Sequence, residues 1–388
     1  MGDTPSKASV VLLAILVGIN LRPIMASVGP LLDLLQRDLG LSNFQGGLLT
    51  TLPVMMMGLF ALAGPWLLRL LGEVKGVAIG MTLIAAACAV RTYVESSSAL
   101  IASAAVGGVG IAVIQSLMPA FIKRNHPQSA GMLMGLFTTG IMGGAAIAAA
   151  IAAPSAGKLG WNLTLGYAAI PAMIALIAWL LAAGNVHAYP TAAGLPWRSG
   201  RAWLLLVFFG IGTGAYTLVL AWLPPFYVEL GWTAKSAGYL LGALTITEVI
   251  AGLLVSALIH RFPDRRQPLA LVILLLIGGL ACLMTAPLQL TALAILCLGL
   301  GIGALFPLSL IVTLDHARSP AEAGSLLAFV QGGGYLIAAS MPVVAGLVRD
   351  EFSSLHWAWA VMGGGAVLLL ALSALLRPLS QRTVVAQA

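Results

Sequence analysis

Twelve apolar stretches divide this chain of 388 residues, each of about the twenty residues that a helix needs to cross a bilayer. Their limits read as 8–33, 42–69, 75–92, 97–122, 129–152, 162–183, 202–227, 235–260, 268–286, 289–313, 321–347 and 355–377. Only 8% of the residues are charged and 60% are hydrophobic, whereas a soluble domain carries about 25% charged residues. The chain therefore lacks the charge to cover its own surface in water, which excludes a soluble enzyme, a nucleic-acid binder and a disordered chain. The expected class is an all-α membrane protein with twelve transmembrane helices. The first stretch follows Lys7 without a small-residue cleavage site and reads as a retained helix. Cys88, Cys282 and Cys297 lie inside apolar runs without C-x-x-C spacing, so neither a disulfide frame nor a metal site is expected.

An even number of spans puts both termini on one side, and the net charge of +7 is distributed accordingly. Lys7, Arg69, Lys75, Lys123, Arg124, Arg198, Arg201, Arg261, Arg265, Arg266, Arg318, Arg377 and Arg382 fall on the side of the termini. Arg37, Arg91, Lys158, Lys235 and Arg349 fall on the other, and Arg22 alone lies within a span. The positive-inside rule then places both termini in the cytoplasm of a bacterial inner membrane. The polar stretch 184–201, with Pro190 and Pro196, reads as a linker between an amino-terminal bundle, 1–183, and a carboxy-terminal bundle, 202–388.

The two halves resemble each other at an offset of about 192 residues. LGLSNFQGGLL (39–49) lies over LGWTAKSAGYLL (230–241), VGIAVIQSLMPAFIKRNHP (109–127) over LGIGALFPLSLIVTLDHARSP (300–320), and AGMLMGLFTTG (130–140) over AGSLLAFVQGG (323–333). A duplicated six-helix unit, with parallel repeats about an axis along the membrane normal, accounts for this. Six plus six spans with a central linker resemble the major facilitator superfamily. Its basic loop after the second span is degenerate here, keeping Arg69, Glu73 and Lys75, while HRFPDRRQP (260–268) after the eighth is closer to a charged gating loop. A narrower resemblance rests on GINLRPIMASVGPLL (18–32), LLTTLPVMMMGLFALAG (48–64), AWLPPFYVELG (221–231) and LGLGIGALFPLSLIVTLDH (298–316). These segments are similar to the cyanate permease family, which also includes nitroimidazole exporters. The resemblance implies a secondary transporter, with two pseudo-symmetric bundles working by alternating access and cyanate or another small monovalent anion as substrate. It also implies that the first, fourth, seventh and tenth spans line the cavity.

Ionisable residues at bilayer depth are costly and point to function. Arg22 lies about 22 Å along the first helix from Lys7 at 1.5 Å per residue, and Pro23 after it withdraws a backbone donor from the Ile19 carbonyl. A guanidinium fork suits a small anion, with Asn20 beside it. Gly18, Ala26 and Gly29 on the same face are expected to leave room for the ligand, so that Ala26→Leu would fill the pocket. The repeat sets Arg22 opposite Gly214, so the other half offers Tyr216 and Trp222 instead of a charge. Glu248 is central in the eighth span, opposite Met57, and reads either as a proton-coupling group or as a neutral acid bonded to a neighbour. Gln115 and Gln331 are further substrate-facing candidates, with Tyr335 one turn beyond Gln331. Lys123 and Arg124 at the end of the fourth span, and Asp315 and His316 at the end of the tenth, are candidate gate residues.

No Walker A, H-E-x-x-H or G-x-S-x-G sequence occurs, so neither an ATP motor nor an enzyme is expected, and no cofactor. The expected protein is a monomer in the lipid bilayer, with a small anion and protons as its partners. Export of a drug such as a nitroimidazole, and a membrane sensor without flux, are the alternatives.

Overall fold

The computed structural model of the chain describes residues 7–183, 194–317 and 320–376. Among these, twelve helices are long and apolar enough to cross a membrane. They are Ala8–Leu39, Asn43–Leu62, Glu73–Tyr93, Ser97–Asn125, Pro127–Leu159, Trp161–Ala182, Gly200–Glu229, Ala234–Arg261, Arg266–Thr285, Thr291–Asp315, Glu322–Phe352 and His356–Leu375. Each expected stretch falls on one of them. The second span stops at Leu62, earlier than expected, because a separate helix, Gly64–Leu71, begins after Ala63. The first runs on past Asp33 because Val28–Leu39 stays helical through its polar residues and ends on Gly40 at φ 66°. Arg318, Arg377, Arg382 and residues 184–193 of the expected linker lie outside the described residues.

The repeat is visible in local geometry. Gly40 (φ 66°) and Gly231 (φ 93°) both take the left-handed conformation that glycine adopts without a Cβ penalty. Two residues on, Ser42 and Thr233 cap the next helix by accepting from the backbone N–H of Gln45 (3.1 Å) and Ser236 (3.1 Å). The matched segments 39–49 and 230–241 are thus the same turn made twice.

The first span is the departure from this regularity. It consists of Lys7–Ile19, Pro23–Ala26 and Val28–Leu39, interrupted at Asn20–Arg22. Pro23 has no N–H to give Ile19, and the chain bridges the gap with tight bonds from Asn20 N to Val17 O (3.2 Å) and Leu21 N to Gly18 O (3.0 Å). Gly144 of the fifth span packs directly on the Ile19 carbonyl. A Cβ on Gly18 would come within 2.5 Å of the Phe137 carbonyl, and one on Gly140 within 3.0 Å of the Ile15 carbonyl. The first and fifth spans therefore meet backbone to backbone, as small residues allow in membranes.

Arg91 corrects the charge assignment made from sequence. It is not a loop residue but has 0% exposure. Its Nη1 donates to Ile24 O (2.9 Å) and its Nε to Ser103 Oγ (2.9 Å), which anchors the short helix Pro23–Ala26 from the third and fourth spans.

The six spans before residue 183 meet the six after residue 200 along two main seams, beside a contact of the first span with the seventh. In one, the second span lies on the eleventh: a Cβ on Gly47 would come within 2.5 Å of Pro342 O, one on Gly58 within 2.7 Å of Gly332 O, and Thr51 Oγ1 donates to Ala339 O (2.6 Å). In the other, the fifth span lies on the eighth, where a Cβ on Gly238 would come within 2.6 Å of Ala149 O and one on Gly242 within 3.2 Å of Ala146 O.

Because Gly144 sits on a carbonyl that the proline break leaves exposed, Gly144→Val should lower stability by about 1–3 kcal/mol, the usual cost of overpacking. Gly143, with nothing within 4 Å of a Cβ, should accept alanine without loss. Thermal unfolding in detergent checks both, and equal unfolding temperatures would remove Gly144 from the contact.

Candidate functional site

Arg22 caps the short helix Pro23–Ala26 at the break in the first span, and only 4% of it is exposed. Its Nη1 donates to Met57 Sδ at 3.7 Å, a weak acceptor, while its Nε is buried without a partner. The guanidinium carbon lies 5.3 Å from the Tyr216 ring centroid, a cation–π distance that joins the first span to the seventh. Met57 is the residue that the repeat sets opposite Glu248. An acid there would have given Arg22 a salt bridge, and the thioether leaves its charge unpaired.

Beside this guanidinium is a cavity of about 300 Å³, bounded by Arg22 and by the fifth, seventh, eighth and tenth spans. Its lining includes the buried Glu248 and Thr213, the half-buried Tyr216, and the exposed Thr138 and Ser256. The lining stretches of the fifth, eighth and tenth spans occupy the halves nearer the termini, so the cavity lies towards that side of the molecule. Gly303 of the tenth span packs on the Glu248 backbone, which fixes the position of the acid. Both Glu248 oxygens and the Tyr216 hydroxyl are buried without a hydrogen-bond partner. None of the ion pairs among the described residues includes Arg22 or Glu248.

Other expected residues are elsewhere. Asn20 faces the sixth span, its amide donating to Leu16 O (2.7 Å) and Pro171 O (3.3 Å). Trp222 has 0% exposure, and its Nε1 donates to Pro342 O (2.8 Å). Gln115 and Gln331 are half-buried and outside the cavity lining, Gln115 with its Oε1 unpartnered. Tyr335 stacks edge-on against Phe209 with centroids 5.3 Å apart. The pocket expected around Gly18, Ala26 and Gly29 is corrected. Gly18 abuts the fifth span, Gly29 the Leu220 and Ala221 carbonyls of the seventh, and Ala26 is fully buried outside the cavity lining. Small residues here bring helices together, and the open space in the cavity lies instead beside Gly131, Gly135 and Gly252.

Of the expected gate residues, Arg124, Asp315 and His316 each have a partner in their own half. Arg124 meets Glu73 (2.5 Å), Asp315 meets Arg265 (2.9 Å), and His316 faces Arg201 Nη2 (2.7 Å) and Val312 O (2.7 Å); Lys123 is exposed. Between the eighth and ninth spans, hydrogen bonds from Arg266 hold the Asp264 carboxyl below the ordinary carboxylate range.

On the side away from the termini, Arg349 and Asp350 of the eleventh span reach residues of both halves. Arg349 Nε meets Glu229 (2.5 Å), its Nη2 meets Asp33 of the first span (3.7 Å), and its guanidinium carbon lies 5.5 Å from the Trp222 ring centroid. Asp350 caps the second span from the other half, accepting from Asn43 Nδ2 (2.7 Å) and Phe44 N (3.0 Å). Sequence reasoning missed this cluster by reading Arg349 as a loop charge. Asp33, a lone carboxylate inside an apolar stretch, was the available signal. Among the described residues, no group of three or more His, Cys, Asp or Glu side chains could hold a metal ion.

The sequence model of the Major Facilitator Superfamily matches residues 11–339. The chain is 40% identical over 354 residues to the cyanate transport protein CynX of Escherichia coli (strain K12), covering 90% of this chain and 92% of that protein. It is 32% identical over 374 residues to the 2-nitroimidazole transporter of the same organism, covering 94% of each. Among solved structures it resembles the D-xylose-proton symporter, with a TM-score of 0.76, 14% identity, and coverage of 93% of this chain and 97% of that one.

If Arg349 holds the side away from the termini closed, removing its charge loosens that face. A Thr51→Cys protein carrying Arg349→Met should react several-fold faster with a membrane-impermeant maleimide added on that side than Thr51→Cys alone. Equal rates would mean that the backbone seams suffice.

Proposed function

The chain belongs to the major facilitator superfamily, within its cyanate permease family, and on that membership we propose that it carries a small monovalent anion, cyanate first, across the inner membrane by alternating access. The observation that carries this reading is Arg22, a charge midway along the first span that lines a cavity and, among the described residues, makes no ion pair, not even with Glu248 in the same lining. Insertion scales put an arginine at the centre of a membrane helix at about 2.5–3.5 kcal/mol. A buried guanidinium left unmatched is costly in the empty protein and gains most from an anion that brings its own charge. The narrow, largely apolar surroundings keep water from screening that attraction.

Two bundles, 1–183 and 202–388, joined by 184–201, would rock about the site. The cluster around Arg349 supports a state closed on the side away from the termini, with the cavity towards the other. The excess of basic residues near the termini supports a cytoplasmic location for both, in a monomer that works as a carrier and not as an enzyme. In this reading Arg22 and Tyr216 bind the substrate, Glu248 couples a proton, and Asp33, Glu229, Arg349 and Asp350 form the outer gate. Gln115 and Gln331 remain proposed contacts in another conformation of the cycle.

A second reading is export of a nitroaromatic compound such as a 2-nitroimidazole. The volume of about 300 Å³ favours it, because it reaches the range of sites for small organic molecules, roughly 300–1,000 Å³. A panel of cyanate, other small anions and nitroimidazoles, read by thermal shift on the purified protein, separates the two.

Arg22→Gln and Arg22→Lys should both abolish anion binding, since lysine keeps the charge and loses the fork. Arg22→Gln should keep or raise the unfolding temperature because it removes an unpaired buried charge. Unchanged affinity in the glutamine variant would place the site elsewhere. Glu248→Gln should keep ligand exchange in proteoliposomes and lose pH-driven accumulation. Equal accumulation by variant and parent would leave Glu248 a structural role.

A further inference from the structure

Three residues that line one cavity carry four buried polar atoms without a partner: Arg22 Nε, the Tyr216 hydroxyl, and both oxygens of Glu248. Buried polar groups are nearly always hydrogen-bonded, so four left over together define the complement of a ligand. Arginine can only donate, so one end of that ligand must accept. A carboxyl group nearby sets a second condition. An anion too weakly basic to take a proton, such as chloride, satisfies Arg22 but cannot share a proton with Glu248 and meets repulsion when the acid is ionised. A cation satisfies Glu248 and is repelled by Arg22. A ligand with an acceptor at one end and an acidic N–H at the other satisfies both.

We propose that the cavity selects weak N–H acids, with the acceptor end on Arg22 and Tyr216 and the acidic nitrogen sharing one proton with Glu248. This rests on the transport reading above and narrows its substrate class. Cyanate is the conjugate base of an acid that carries its proton on nitrogen, H–N=C=O, and an imidazole bearing a nitro group has a ring N–H beside nitro oxygens that accept. The two chemistries that compete as readings of the site thereby become one. The proton balance is simple. Ligand N–H with Glu248 carboxylate becomes ligand anion with Glu248 carboxylic acid; one N–H bond breaks, one O–H bond forms, and nothing else changes. Counted over Arg22, Glu248 and the ligand, the charge is zero in both forms. A filled site would then pass through its occluded state without a net buried charge, which a lone anion or a lone proton would not allow.

The test compares four probes on the full chain purified in detergent, by titration calorimetry: cyanate, 2-nitroimidazole, 4-methyl-2-nitroimidazole and 1-methyl-2-nitroimidazole. The two methylated compounds have the same added volume, but only the 1-methyl compound lacks the N–H. Cyanate, 2-nitroimidazole and the 4-methyl compound should bind, and the 1-methyl compound should bind about tenfold more weakly or worse, the size of one unmatched buried hydrogen bond. Glu248→Leu should bring the two methylated compounds to equal affinity, because the group that reads the N–H is gone. Equal binding of the two by the parent protein, with Arg22→Gln still abolishing it, would overturn the inference and leave the transport reading standing. Discrimination that persists in Glu248→Leu would also overturn it. Failure of all four probes to bind would bring down the transport reading and this inference together.

Discussion

A guanidinium without an ion-pair partner among the described residues, held halfway along a membrane helix, is the constraint around which the rest of this protein is arranged. A charge at that depth has to be stabilised by the protein or matched by a ligand. The fold does so with weak partners, the Met57 thioether at 3.7 Å and the face of the Tyr216 ring at 5.3 Å. Neither cancels the charge, and both leave the Nε edge for a ligand. Stronger partners were within structural reach. The repeat puts Met57 where the other half has Glu248, and an acid there would have satisfied the arginine permanently.

Holding Arg22 in place requires a broken helix, and the break requires support. Pro23 removes the donor that Ile19 would have used, and Gly144 lets the fifth span close on the freed carbonyl. Arg91, itself wholly buried, reaches from the far side to Ile24 O. In a bilayer no water enters to satisfy such groups, so irregular backbone survives only where neighbouring helices enclose it. The glycines on the first and fifth spans are therefore structural. The space for a ligand lies on the other side of Arg22, where the fifth, eighth and tenth spans diverge.

The same logic separates the two ends of the molecule. Away from the termini, backbone contacts at Gly47, Gly238 and Gly242 combine with the Arg349–Asp33 pair and the Asp350 cap to bind one half to the other. Towards the termini, Arg124, Arg265 and Arg201 find their partners within their own halves. The ionic contact between Arg349 and Asp33, and the cap of Asp350 on the second span, thus tie the halves together on the side away from the termini.

Spans, repeat and the singular charge of Arg22 were legible in the sequence because each depends on local composition or on spacing along one chain. Twenty apolar residues form a membrane helix whatever surrounds them, and Gly40 with Ser42 makes the same turn as Gly231 with Thr233. The partners of each polar side chain were not legible, because they are set by which helix faces which, at what rotation and depth. Asn20, one turn's fraction from Arg22, turns to Pro171 and not to the cavity, and Trp222 belongs to the contacts around Arg349 and Pro342. Small residues along a helix read identically whether they make room for a ligand or for another backbone. Only the approach of the fifth and seventh spans decided that Gly18 and Gly29 do the latter, since packing between helices is a property of pairs of surfaces and a sequence specifies only one surface at a time.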